Sequence, residues 1–235
     1  MKIDFHSHVL PNVDDGSHST DESVALLRQL AQQGITHVVA TPHFYARHDT
    51  PAHFLEKRAL AEQRLREEMA KFGDLPELLV GAEVRFFSGI SDSEAVKRLT
   101  IAEKDYILIE MPATPWTDQM YRELAQLREK QGVTPILAHI DRYVSPLRNR
   151  DIPRRLAGLP LLVQANADFF LSGFTAPMAL RLLKNEQIHL LGSDCHDLKH
   201  RPPRLEAARR IISRRLGAEA LDRVDTLGEM VLFST

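Results

Sequence analysis

Short apolar runs that finish in an ionisable side chain recur from one end of this chain to the other, and nothing else in the sequence limits its fold as strongly. Seven runs are predicted as strands: Lys2 to His6, Thr36 to Thr41, Leu78 to Glu83, Tyr106 to Glu110, Thr134 to His139, Leu161 to Asn166 and Gln187 to Asp194. A strand buried on both faces reads as a continuous apolar run and has no reason of its own to end in a charge. Yet six of the seven do. They lead to His6 with His8 beyond it, to His43 after Thr41-Pro42, to Glu83, to Glu110, to His139, and to Asp194 with His196 beyond it; the remaining run ends at Asn166.

Between the runs lie stretches with helical signals, an alternation that favours parallel strands joined by helices. Ser19-Thr20-Asp21-Glu22 is a capping box, Val24, Leu27 and Leu30 form one apolar stripe, and Gln33-Gly34 closes the helix. Further helices are predicted over Ala52 to Phe72, Asp118 to Gln131, Ala176 to Asn185 and Arg204 to Arg215, with a loop and short turn over Arg148 to Arg155.

In a closed or nearly closed parallel barrel the C-terminal strand ends meet at one mouth, so the ionisable residues would converge there. That many carboxylates cannot share a mouth without cations between them. Imidazole mixed with carboxylate, without thiolate, suits zinc, manganese or iron. In His6-Ser7-His8 the two imidazoles sit two residues apart on an extended strand and face the same side. Asp14-Asp15-Gly16 is either an ordinary turn or a further ligand loop. His18, His37, His48, His53, His189 and His200 read as surface or loop residues, although His48 and His200 could border a substrate. Phe44, Tyr45 and Trp116 lie near the mouth, where they either stack on an aromatic group or pack.

Composition narrows the classes. With 235 residues, 43% apolar and 26% charged, the chain is of ordinary globular type and is expected to form a single domain over residues 1–235. A net charge of -2 argues against a general nucleic-acid binder. No window approaches the roughly 18 apolar residues of a membrane span, and no leader is visible, so a cytoplasmic location without membrane insertion is expected. Cys195, the one cysteine, is separated from Arg201 by five residues, the C-x5-R spacing of thiolate phosphatases. The intervening segment lacks a glycine for a loop of amides, and Asp194 and Asp197 would oppose a thiolate.

The motifs resemble the PHP (polymerase and histidinol phosphatase) superfamily, especially its bacterial protein-tyrosine phosphatase branch of the CpsB and YwqE type. The resemblance spans nearly the whole chain. It rests on Asp4-Phe5-His6-Ser7-His8, Val13-Asp14-Asp15-Gly16-Ser17, Ala40-Thr41-Pro42-His43-Phe44, Gly81-Ala82-Glu83, Ile109-Glu110, Ala138-His139, Arg142-Tyr143, and Ser193-Asp194-Cys195-His196 with Arg201-Pro202-Pro203. It implies an α/β fold, a distorted (β/α)7 TIM-like barrel, holding three divalent ions, typically Mn2+, with iron or zinc as alternatives. The implied ligands are His6, His8, Glu83 and Asp194 for one ion, Glu83, Glu110 and His139 for a second, and Asp15, His43 and His196 for the third. Arg142 and Arg201 would bind phosphate and stabilise charge.

The implied function is hydrolysis of phosphotyrosine in proteins by metal-activated hydroxide, opposing a cognate bacterial tyrosine kinase in exopolysaccharide or capsule regulation. Alternatives are a small-molecule phosphomonoesterase such as a histidinol-phosphate phosphatase, a PHP exonuclease module, and a non-catalytic metal-binding scaffold. Two departures leave the ligands intact but bear on the entrance: His139-Ile140-Asp141 replaces His-Pro-Glu, and Phe169-Phe170 follows Asn166-Ala167-Asp168 where smaller residues are usual.

Overall fold

The computed structural model describes residues 1–147 and 149–233. Among the described residues there are nine strands: β1 (Ile3–Ser7), β2 (His37–Ala40), β3 (His43–Phe44), β4 (Glu77–Val80), β5 (Glu83–Arg85), β6 (Tyr106–Glu110), β7 (Thr134–Leu137), β8 (Leu162–Asn166) and β9 (Leu190–Gly192). All pair in parallel, in the orders β1-β2-β4 and β3-β5-β6-β7-β8-β9.

The two sheets continue one another. The runs expected as single strands over Thr36 to Thr41 and Leu78 to Glu83 are each interrupted, into β2 and β3 and into β4 and β5. Pro42, which has no N–H to give a ladder, sits at the first break. Gly81 sits at the second, where a Cβ would stand 2.9 Å from Ile101 Cγ1. Gly81 N–H donates to Ala40 O at 2.8 Å and Glu83 N–H to Pro42 O at 3.0 Å, so pairing survives across the bend. At the other side, Asp194 N–H donates to His6 O (2.7 Å) and His8 N–H to Cys195 O (2.9 Å). The segment after β9 is thereby held to β1, and the mixed α/β fold has a curled parallel sheet.

Helices α1 (Thr20–Gln32), α2 (Pro51–Met69), α3 (Asp118–Gln126), α4 (Ile152–Leu156), α5 (Asp168–Leu171), α6 (Ala176–Lys184), α7 (Leu205–Leu216) and α8 (Ala218–Phe233) complete it. The Ser19 hydroxyl accepts from Glu22 N–H at 3.1 Å, and the Glu22 carboxylate accepts from His18 N–H at 2.9 Å. Part of the segment expected as loop is the short helix α4; Arg148, where that expectation begins, lies outside the described residues. α8 is absent from the sequence reading. Among the described residues, no helix is long and apolar enough to cross a membrane.

Alternate strand residues feed two apolar clusters. One lies between the sheet and α1, α2, α3, α6 and α7. The other, inside the curl, joins Ile3, Phe5, Val39, Leu108, Ile136 and Leu190 to Val231 and Leu232 of α8. α8 thus covers the curl near the start of β1, where the Met1 ammonium pairs with Glu229. Gly228 permits that approach, since a Cβ there would stand 2.8 Å from Phe5 Cε2 and 3.2 Å from Ile3 Cδ1. Arg209 grips Asp225 through two bonds of 2.8 and 2.6 Å, tying α7 to α8. Phe169 and Phe170 are buried in the first cluster, so the departure noted at those positions shapes the core rather than the entrance. Gly228→Leu is expected to overpack the contact with β1 and destabilise the protein by about 1–3 kcal/mol. Urea unfolding midpoints measure this, and an unchanged midpoint would show that α8 does not depend on the close approach.

Candidate metal centre

Glu83 is the hub. It opens β5 with its side chain wholly buried, and its Oε1 stands 2.6 Å from His139 Nε2. Its Oε2 faces His43 Nδ1 at 2.9 Å, His6 Nε2 at 3.1 Å and His8 Nε2 at 3.4 Å. Asp194 Oδ1 approaches His6, His8 and His196 at 3.5, 3.4 and 3.7 Å. At the rim, Asp15 Oδ1 lies 3.5 Å from His43 Nε2 and 3.7 Å from His196 Nε2. Glu110 Oε1 stands 4.0 Å from His139 Nε2. All nine candidate ligands therefore meet in one place.

His139 and Asp194 reach it from left-handed backbone, at φ 31° and 52°, two residues beyond the ends of β7 and β9. The expected strands 134–139 and 187–194 are accordingly shorter than the sequence suggests. The chain turns sharply there and swings both side chains inward.

Four groups of donor atoms lie mutually within 4.8 Å: His8, Asp15, His43 and His196; His6, His8 and Asp194; His6, Glu83 and His139; and His43, Glu83 and Glu110. Their chemistry suits divalent cations. Glu83 Oε2, Asp194 Oδ1, His43 Nδ1 and His196 Nε2 are buried without a hydrogen-bond partner, which is costly unless something positive coordinates them. Burial pushes the Glu83 carboxyl up, but the charge on His6, the hydrogen bond with His139 and the close approach of His43 hold it well below the usual range. Burial likewise raises Asp194, and His6, His8 and Arg142 outweigh it. In turn, burial lowers His6 while Glu83 and Asp194 carry it above its ordinary value. Each of these shifts runs in the direction that opposite charges packed together out of water impose. Divalent ions held by these residues would supply positive charge to the carboxylates while leaving the imidazoles neutral to ligate.

Several supporting residues escaped the sequence reading. Asp14 binds inward: its Oδ2 faces His8 Nδ1 at 2.7 Å and accepts His43 N–H at 2.8 Å, while Oδ1 accepts Gly16 N–H at 3.0 Å. Asp15, beside it, faces the mouth. Gly16 closes this loop against His8, whose Cβ would lie 2.4 Å from an added Cβ. Gln164 Oε1 accepts His139 N–H at 2.6 Å and meets His6 Nδ1 at 3.2 Å. Its amide donates to Asn166 Oδ1 at 3.0 Å, and Asn166 donates to Asp194 Oδ2 at 2.9 Å. The signal was available: Gln164 stands two residues before Asn166, on the same face of a strand otherwise apolar. Asp141 accepts Asn166 N–H at 2.9 Å. Such partners fix ring orientation and tautomer at metal sites.

Arg142 and Arg201 both rest on Asp194 Oδ2, at 2.5 and 2.7 Å, with side chains about a third exposed, at 38% and 37%. A third arginine, Arg85, pairs with Glu110 Oε2 at 2.8 Å. Tyr45 stacks on His43 with centroids 5.2 Å apart, and burial together with Glu110 and Glu83 pushes its hydroxyl up to about 12. Phe44 instead packs on Phe54 in the core, and Trp116 packs on Tyr143 while donating to Pro112 O at 3.0 Å. His37, expected at the surface or in a loop, is a buried residue of β2. His189 is partly buried and its Nδ1 accepts Val163 N–H at 3.0 Å. Cys195 is fully buried, and burial with nearby Asp4 pushes its thiol up to about 12, so it is no thiolate nucleophile.

The capsular polysaccharide synthesis family CpsB/CapC matches residues 2–231. The chain is 30% identical over 227 residues to the tyrosine-protein phosphatase CpsB of Streptococcus pneumoniae, covering 92% of each. It is 30% identical over 233 residues to the tyrosine-protein phosphatase YwqE of Bacillus subtilis, covering 92% of this chain and 86% of that protein. Among solved structures, one from work on YwqE of Bacillus subtilis and CpsB of Streptococcus pneumoniae, described as metal-dependent tyrosine phosphatases, superimposes with a TM-score of 0.84. It is 25% identical and covers 98% of this chain and 94% of that one. Asp14→Asn should weaken the hold on His8 and lower metal affinity about 10- to 100-fold, as loss of such partners does elsewhere. Metal titration by calorimetry reads this directly, and wild-type affinity would show that Asp14 only shapes the loop.

Proposed function

The chain belongs to the CpsB/CapC family, and from that footing we propose that it is a metal-dependent protein-tyrosine phosphatase. The observation that carries the reading is the buried convergence of histidines on Glu83 and Asp194, with donor atoms left unpartnered. Three ions are proposed, most simply Mn2+, with iron or zinc as alternatives. His6, His8, Glu83 and Asp194 would hold one, Glu83, Glu110 and His139 a second, and Asp15, His43 and His196 the third. The proximity of His43 to Glu83 and Glu110 makes its imidazole a bridge between groups. The frame is read as one domain over residues 1–235, a distorted (β/α)7 barrel in which β2 with β3, and β4 with β5, each count once.

Divalent ions in such a site supply Lewis acidity at the phosphoryl oxygens and acidify water, which phosphate ester hydrolysis needs at neutral pH. The protein's own residues do the rest. Arg142 and Arg201, anchored on Asp194 and part-exposed, present guanidinium N–H groups that can bind the phosphoryl group and cancel charge as it develops. Asp14 and Gln164 keep the imidazoles pointed at the centre, and burial of Glu83 keeps competing water away from it. Cys195 takes no part. The substrate is proposed to be a phosphotyrosine protein, through which the enzyme opposes a bacterial tyrosine kinase in capsule or exopolysaccharide regulation, in the cytoplasm.

Stripping the protein with chelator should abolish turnover of a phosphotyrosyl peptide, and Mn2+ should restore it, with histidinol phosphate a far poorer substrate by kcat/KM. A preference for histidinol phosphate would move the reading to a small-molecule phosphatase. No turnover at full metal occupancy would leave a scaffold. Cys195→Ser should keep its activity; loss of activity with metal retained would overturn the metal-dependent route.

A further inference from the structure

A cleft of about 470 Å³ opens beside the centre, lined by Tyr45, Arg47, His48, Arg85, Phe86 and Phe87 among others. Its walls come from the end of β5 and the segments that follow β3, β5 and β6, the strands that carry His43, Glu83 and Glu110. The cleft is continuous with the centre through two side chains. Tyr45 stacks on His43, and Arg85 pairs with Glu110 at 2.8 Å. Phe86 N–H donates to Glu110 O at 2.8 Å, which fixes that wall, and His48 N–H donates to Tyr45 O at 2.9 Å, closing the turn that carries Arg47.

The lining has two features that a packing defect would not need. Its aromatic rings, Tyr45, Phe86 and Phe87, are half-buried or exposed rather than sealed in the core. Its charged residues are all basic, although the neighbouring centre is crowded with carboxylates. Arg85 is already engaged by Glu110, whereas Arg47 is exposed and makes no ion pair among the described residues. Arg142 and Arg201, which meet Asp194 instead, do not line this cleft. Tyr45 borders both the centre, through His43, and the cleft, so a substrate whose phosphate sits at the centre can extend past its ring into this volume.

Building on the phosphotyrosine reading, we propose that this cleft binds the residue flanking the phosphotyrosine and that Arg47 selects a carboxylate there. The apolar walls take the stem of the flanking side chain, and the guanidinium takes its charge. An exposed or half-exposed ion pair is worth up to about 1 kcal/mol, a preference of roughly fivefold.

The test uses the Mn2+-loaded protein and two phosphotyrosyl peptides that differ only in having Glu or Gln on either side of the phosphotyrosine. Wild type should favour the Glu peptide by roughly fivefold in kcat/KM. Arg47→Glu should abolish or reverse that ratio, Arg47→Lys should keep most of it, and p-nitrophenyl phosphate, which has no flanking residue, should be turned over equally by all three. Fluorescent analogues with a non-hydrolysable phosphonate should show the same ratios in Kd. A ratio near one in wild type, or a ratio unchanged in Arg47→Glu, overturns the assignment. Failure of the phosphotyrosine reading looks different: p-nitrophenyl phosphate would be hydrolysed while neither peptide was, and the Kd ratios would still judge Arg47.

Discussion

A carboxylate cannot be removed from water and surrounded by further carboxylates unless positive charge comes with it, and Glu83 meets that condition in an extreme form. Its two oxygens face four imidazoles within 3.4 Å, and Asp194 stands against two of the same rings. The electrostatic cost of assembling such a group falls on the fold. The sheet has to hold the strand ends rigidly enough for the donors to stay close to one another. Both the breaks between β2 and β3 and between β4 and β5 and the left-handed turns at His139 and Asp194 serve that end, because each redirects the backbone just where a side chain must point inward.

The ring of partners behind the ligands makes the arrangement specific. Asp14 serves two histidines, on a side chain of His8 and a backbone N–H of His43, while Gln164 does the same for His6 and His139. Each spans two strand ends, so neither ligand can turn without disturbing another. Asp194 has the corresponding role on the substrate side, where one oxygen faces imidazoles and the other carries Arg142, Arg201 and Asn166. The same residue therefore couples the place where cations would sit to the arginines that would meet a phosphate. The basic cleft next to Tyr45 adds an arginine that is free of this network.

Much of the site was legible from residues alone because period and position carry the information. An apolar run ending in His, Glu or Asp reports both a buried strand and the end of it that faces the site, and His6-Ser7-His8 reports a shared face. What could not be read was which member of a polar pair turns inward. Asp14 and Asp15 are identical in type and adjacent, yet the side chain of one is bound against His8 and the other is exposed at the rim, in a loop where Gly16 packs against His8. Phe44 and Tyr45 divide similarly, one into the core and one onto His43. α8 was missed because its burial depends on Gly228 meeting Phe5, more than 200 residues away in sequence.

The sequence by itself determined that parallel strands alternate with helices, that their ends carry a histidine and carboxylate set, and that the single cysteine lacks the surroundings of a nucleophile. These follow from local patterns, since periodicity and residue type act within a few positions. Tertiary structure alone decided the splitting of two strands, the inward turn of Asp14, the joint hold of Arg142 and Arg201 on Asp194, and the cleft around Arg47. Those depend on distances between segments far apart in the chain, which close packing sets and no local pattern records.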